Sequence, residues 1–180
     1  MHPKLLVLAL TATACSWVTP ASNAHAQSAT PHAIPQSFRI AHQETLEQLS
    51  VLARRKGQVG VEAGRALVVF KHHIAREQEF ILPPLTLLPR LVDGKVTPDM
   101  AWALPMTDRV RAEREEIFQE HTRITDALNA LSVAARRAGD RNAKEFADAA
   151  AADSLNDMEI VEPTVLLIGE TLRSKLSAAH

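Results

Sequence analysis

The 180 residues carry 20 Lys and Arg against 21 Asp and Glu, a net charge of −1, with the bases spread along the chain. That distribution offers no electrostatic footprint for nucleic acid. Tyrosine is absent and 4% of residues are aromatic, which excludes a base-stacking surface or an aromatic-lined sugar groove.

Met1 to Lys4 followed by the apolar run Leu5 to Ala14 reads as the charged and hydrophobic regions of a signal peptide, too short to span a bilayer. Ala24-His25-Ala26 supplies the small-residue pattern for cleavage, so residues 1–26 are expected to be removed and the protein to be periplasmic or secreted. The alternative is a lipoprotein anchored at Cys15, although Ala12 stands where leucine is usual. No second long apolar segment follows, so no membrane span is expected. About 150 residues remain, enough to bury a core without a metal staple. Cys15 is the only cysteine and leaves with the signal, so any metal must be held by nitrogen and oxygen.

Residues 27–36, rich in Ser, Ala and Pro, read as a disordered leader. From Ser37 to about Lys56, Phe38, His42, Leu46, Leu49 and Leu52 recur at helical spacing, and Gly57 and Gly60 end the run. A second helix runs from about Val61 to Leu82 on Ala63, Ala66, Phe70, His73, Ile74, Glu77 and Ile81, stopped by Pro83-Pro84. An irregular stretch follows, with a short extra helix near residues 98–104 announced by Thr97-Pro98. The third long helix follows Val110, Ile117, His121, Ile124, Leu128 and Leu131 from near Thr107 to a cap at Gly139. The fourth opens near Asn142 with the stripe Phe146, Ala149, Ala150, Asp153, Asp157 and Ile160, and Pro163 breaks or bends it before a last apolar segment. With helical period almost throughout, the expectation is an all-α, up-down-up-down four-helix bundle over residues 37–176. The halves repeat: His42 and His121 have leucines at the same offsets, and Asp153, Asp157 and Pro163 echo His73, Glu77 and Pro83.

His42, His73, Glu77, His121, Asp153 and Asp157 all fall on expected core faces. Several carboxylates on converging faces repel one another unless cations intervene, and a metal ion resolves that conflict. Residues four apart face the same way, so His73 with Glu77, and Asp153 with Asp157, can each address a shared ion. The competing readings are hydrogen-bonded core histidines, an exposed His73–Glu77 pair, and a solvated acidic face on the alanine-rich fourth helix. His72 lies about 100° round from His73 and is expected outside the stripe.

Together, the first-helix histidine, the HxxxE with a following proline, Glu120-His121 and the acidic repeat before Pro163 resemble the haemerythrin-like (HHE) cation-binding family across residues 37 to about 173. The segment 81–113 is similar to a sub-group of that family. The resemblance implies a bundle holding non-haem iron, as a di-iron centre, with roles in O2, NO or iron handling; another divalent metal is the alternative. It assigns His42, His73, Glu77 and His121 to the ligands of the first three helices. The fourth helix departs, with Asp153 and Asp157 where the family has His and Glu. Asp holds its carboxylate about 1.5 Å closer to the backbone than Glu, and the added negative charge favours Fe(III) over reversible oxygen carriage. Two other functions remain open: a bundle without metal that acts as an interaction module, and a di-iron redox enzyme, for which no substrate pocket or second catalytic group is legible.

Overall fold

The computed structural model describes residues 32–178. The expected signal peptide, its cleavage after Ala26, the lipoprotein alternative at Cys15 and leader residues 27–31 lie outside the described residues. The rest of the expected leader is partly placed against the fold: His32 stacks on Trp102 with ring centroids 3.9 Å apart, Ile34 lies against the core, and Gln36 begins the first helix.

The described residues are all-helical and contain no strand. Helices α1 (Gln36–Ala53), α2 (Gln58–Arg76), α3 (Leu88–Val92), α4 (Ala103–Ala112), α5 (Arg114–Arg137), α6 (Arg141–Asn156) and α7 (Glu162–Ser177) follow one another in the chain. α1 packs on α2, α2 on α5, α5 on α6, and α4 on α7. No described helix is long and apolar enough to cross a membrane.

Gly57, at φ +87°, makes the turn into α2, but Gly60 lies inside α2 and does not end α1. A Cβ at Gly60 would stand 1.9 Å from the Arg55 carbonyl oxygen, so the close approach of the two chain segments accounts for that glycine. Gly139, at φ +69°, closes α5 as the sequence suggests, with the amide of Asp140 donating to the Ala135 carbonyl at 2.9 Å. Asp140 then caps α6 by accepting from the Ala143 amide.

The stretch after Pro83 is more regular than expected: a 3-10 turn over Pro83–Leu87, then α3, then a second 3-10 turn over Pro98–Met100. The expected third long helix is divided at Glu113 into α4 and α5.

Two π-helical turns, Glu77–Ile81 and Asp157–Val161, occupy matching places in the two halves. Each begins at the second residue of the repeated pair, Glu77 or Asp157, and precedes its proline. Proline cannot donate a backbone bond, and its ring collides with the carbonyl four residues back in an α-helix; one widened turn relieves that clash. The Leu82 amide accordingly donates to the Glu77 carbonyl, five residues back, at 2.8 Å. Pro163 therefore bends the chain from α6 into α7 without stopping it.

Buried apolar residues form two clusters. One gathers Leu49, Phe70, Ile74, Ile124, Leu128 and the alanines of α6; the other gathers Phe80, Ile81, Met100, Val110, Ile117, Val165 and Leu172. Ile74 and Phe80 lie in different clusters, as do Ile117 and Ile124, and Ala151 and Val161. Glu77, Glu120 with His121, and Ser154 to Asp157 lie between these pairs, with His73 next to Ile74, where each helix passes from one cluster to the other.

Candidate metal centre

Four of the six expected site residues are buried in that polar layer: His42 on α1, His73 on α2, Glu77 at the first π turn and His121 on α5. Large apolar neighbours fix their facing, since Phe70 and Ile74 turn inward beside His73, and Ile117 and Ile124 beside His121.

Glu77 is the meeting point, 1% exposed. Its Oε2 lies 3.1 Å from His42 Nε2 and its Oε1 lies 3.3 Å from His73 Nε2. The His73 and His121 rings meet edge to face, centroids 4.4 Å apart. His73, Glu77 and His121 each present a donor atom, and the three atoms lie within 4.8 Å of one another. These side chains are not consumed by hydrogen bonding: His42 Nδ1, His73 Nε2 and Glu77 Oε2 are buried with no partner in hydrogen-bonding geometry. Buried polar atoms left in this state are costly, and two imidazoles with a carboxylate are a donor set for Fe, Zn or a similar divalent ion.

The electrostatics of the layer follow from burial and close charges. Burial opposes the charged form of His73, but the flanking Glu120 and Glu77 carboxylates outweigh it and raise the group to about 9. Burial likewise opposes ionised Glu77, yet His42 and His73 beside it bring the carboxyl down to about 2. His121 is lowered to about 4 by burial and by the neighbouring His73 charge, so it is a neutral imidazole near pH 7.

The fourth helix does not place its acids as the sequence suggests. Asp153 is exposed at the rim, and the inward position is taken by its neighbour Ser154, whose Oγ lies 3.1 Å from His121 Nδ1. The inner face of α6 is Ala143, Ala147, Ala150, Ala151 and Ser154, with Ala149 exposed and Phe146 half-buried, so the helix is rotated by about one residue from the expected stripe. Ile160, expected on that stripe, is 63% exposed. Asp157 is half-buried; burial and the Glu77 charge push its carboxyl up to about 7.

Between α1 and α6 lies a cavity of about 520 Å³. His42, His73, Glu77, Asp153 and Asp157 line it, together with Phe38, Phe70 and Ile124. The expected residues other than His121 thus surround one space.

Two further buried residues, outside the stripes read from the sequence, belong to this layer. Glu120 places Oε2 3.4 Å from His73 Nδ1, and Arg76 donates to Glu120 at 2.5 Å, to Glu116 at 2.7 Å and to Glu113 at 2.5 Å. The signal available was Arg76 three residues beyond His73, a cation on the same helical face that requires acids opposite it. His72 is exposed on its helix, with Nε2 3.4 Å from Glu120 Oε1.

No family model, no curated protein and no solved structure matches the chain.

Proposed function

We propose that this protein is an exported, haemerythrin-like four-helix bundle that binds non-haem iron. The observation that carries the reading is the convergence of His73, Glu77 and His121 in a buried layer, with His73 Nε2 and Glu77 Oε2 lacking hydrogen-bond partners. These three would hold one ion. Glu77 directs its other oxygen toward His42, and Asp157 borders the same cavity, so a second ion would share Glu77 with those two residues. Iron held there supplies coordination and redox chemistry toward O2 or NO, and the cavity between α1 and α6 provides the approach to His73 and Glu77 for a small ligand. Iron buffering uses the same donors.

A second reading has one observation in its favour. The His73–Glu77 ion pair neutralises the buried carboxylate within the protein itself, with the His42 ring beside its other oxygen, which suits a metal-free bundle that serves as an interaction module. Elemental analysis of protein produced in iron-supplemented medium separates the two. One or two metal ions per chain are expected, and a chain that carries none after reconstitution with Fe(II) or Zn(II) rejects the metal reading.

A further inference from the structure

We infer that Glu120, locked by Arg76, is a positioning residue that fixes the orientation of His73 and holds the proton on its Nδ1. For the metal-bound state the inference rests on the reading above, but the contact itself is a property of the metal-free chain.

His73 has two ring nitrogens in different surroundings. Nε2 faces Glu77 and has no hydrogen-bond partner, whereas Nδ1 faces Glu120 Oε2 at 3.4 Å. An imidazole that ligates through Nε2 must carry its proton on Nδ1, and a carboxylate at Nδ1 is the partner that secures this arrangement and raises the basicity of the ligating nitrogen. Glu120 is 3% exposed, so it requires a permanent cation to stay ionised. Arg76 provides one, donating from Nη1 to Glu120 Oε1 at 2.5 Å, which leaves Oε2 to His73.

The guanidinium is itself held. Nη2 donates to Glu113 at 2.5 Å, Nη1 donates also to Glu116 at 2.7 Å, and the cation lies 5.6 Å from the Phe80 ring centre. Glu113 sits at the break between α4 and α5, while Glu116 and Glu120 are one and two turns along α5. The fork of Arg76 therefore joins α2 to α5 beside His73 and aims one oxygen of Glu120 at the ring, a task that a single-point ammonium would perform poorly.

The test compares Glu120→Gln with Glu116→Gln, both nearly isosteric, the second touching Arg76 but not His73. Zn(II) affinity is read by chelator competition, and the His73 Nδ1 proton by imidazole NMR with and without Zn(II). Glu120→Gln should weaken Zn(II) binding about 10- to 100-fold and Glu116→Gln less than about twofold. Wild-type His73 should show a slowly exchanging Nδ1 proton that is lost in Glu120→Gln and kept in Glu116→Gln. If the wild type binds no Zn(II), the metal reading fails while the proton still decides this inference. If Glu120→Gln does not fold, the wild-type proton decides it alone. A His73 Nδ1 proton that exchanges freely in the wild type overturns the inference, as does equal loss of affinity in the two variants.

Discussion

The α1–α2 half and the α5–α6 half repeat one another in sequence, yet they deliver their polar residues differently. In the first half His42, His73 and Glu77 all reach the interior; in the second His121 does, Asp157 reaches half-way, and Asp153 stays exposed at the cavity rim. Both halves place a π-helical turn at the same point before a proline, so the backbone plan is shared. What differs is the side chains that determine rotation. α2 presents Phe70 and Ile74 inward, and their burial fixes its angle to the core, whereas α6 has alanine on its inner face and at exposed Ala149 and Ala152 as well. Full burial of a large apolar side chain contributes about 1.5–3 kcal/mol, and alanine much less. The angle of α6 is left to its packing on α5. A duplicated ligand pattern is therefore only as informative as the apolar residues that orient it.

The largest expected effect breaks the comparison between the two acid pairs. His73→Ala or Glu77→Ala should each abolish stoichiometric metal uptake, since each removes a donor from the converging group. Asp153→Ala should reduce affinity by less than roughly threefold, because an exposed carboxylate acts on the ion only through screened charge. Metal content and chelator competition on the folded variants check this, and loss at Asp153 equal to that at Glu77 would restore the symmetric site.

Much of this layout was legible beforehand because helical period and large apolar neighbours report the same thing. Four site residues were placed on the interior by that agreement. The rotation of α6 was not legible, since a one-residue shift of about 100° changes which alanines face inward without changing how apolar the face is. Glu120 was also hidden: it stands next to His121, and burying both needs α5 to be covered by α2 on one side and α6 on the other. Periodicity assigns one stripe to a helix and does not anticipate two covered flanks. The segment Pro83–Leu87 was assigned to irregular chain because prolines stop α-helices, but they are compatible with the 3-10 turn that forms there.

A smaller effect sharpens the difference between Glu77 and Asp157 in the metal-free protein. Glu77 is brought down to about 2, so its ion pairs stabilise the fold above its ordinary value of 4.5, and that stabilisation is lost as pH falls toward 2. Asp157 is shifted the other way, from 3.8 to about 7, so the folded state prefers it protonated. Below pH 4 it carries no penalty; between about 4 and 7 the penalty grows, and above 7 it is complete. Asp157→Asn should therefore raise the melting temperature at pH 8 by a few degrees, on the order of 1–2 kcal/mol after allowance for its partial exposure, and leave it nearly unchanged at pH 4. Thermal melts of the chelated protein at the two pH values decide this. An equal shift at both would show that ionised Asp157 is not penalised in the folded state.

An effect of similar size tests the rotation of α6 itself. With Ser154 inward, its hydroxyl is the partner of His121 Nδ1 at 3.1 Å, and both groups are buried. His121 is neutral near pH 7, so either tautomer leaves Nδ1 needing a donor or an acceptor, and a hydroxyl serves as both. Ser154→Ala removes that partner and leaves a buried nitrogen unsatisfied, at a cost of about 1–3 kcal/mol. Asp153→Ser, on the exposed side, should stay within about 0.5 kcal/mol of the parent. Denaturant melts of the metal-free variants at pH 7 measure the pair. Were α6 turned to the stripe suggested by Asp153, Asp157 and Ile160, the order would reverse: Ser154→Ala would be silent, and Asp153→Ser would relieve a buried charge and stabilise the fold.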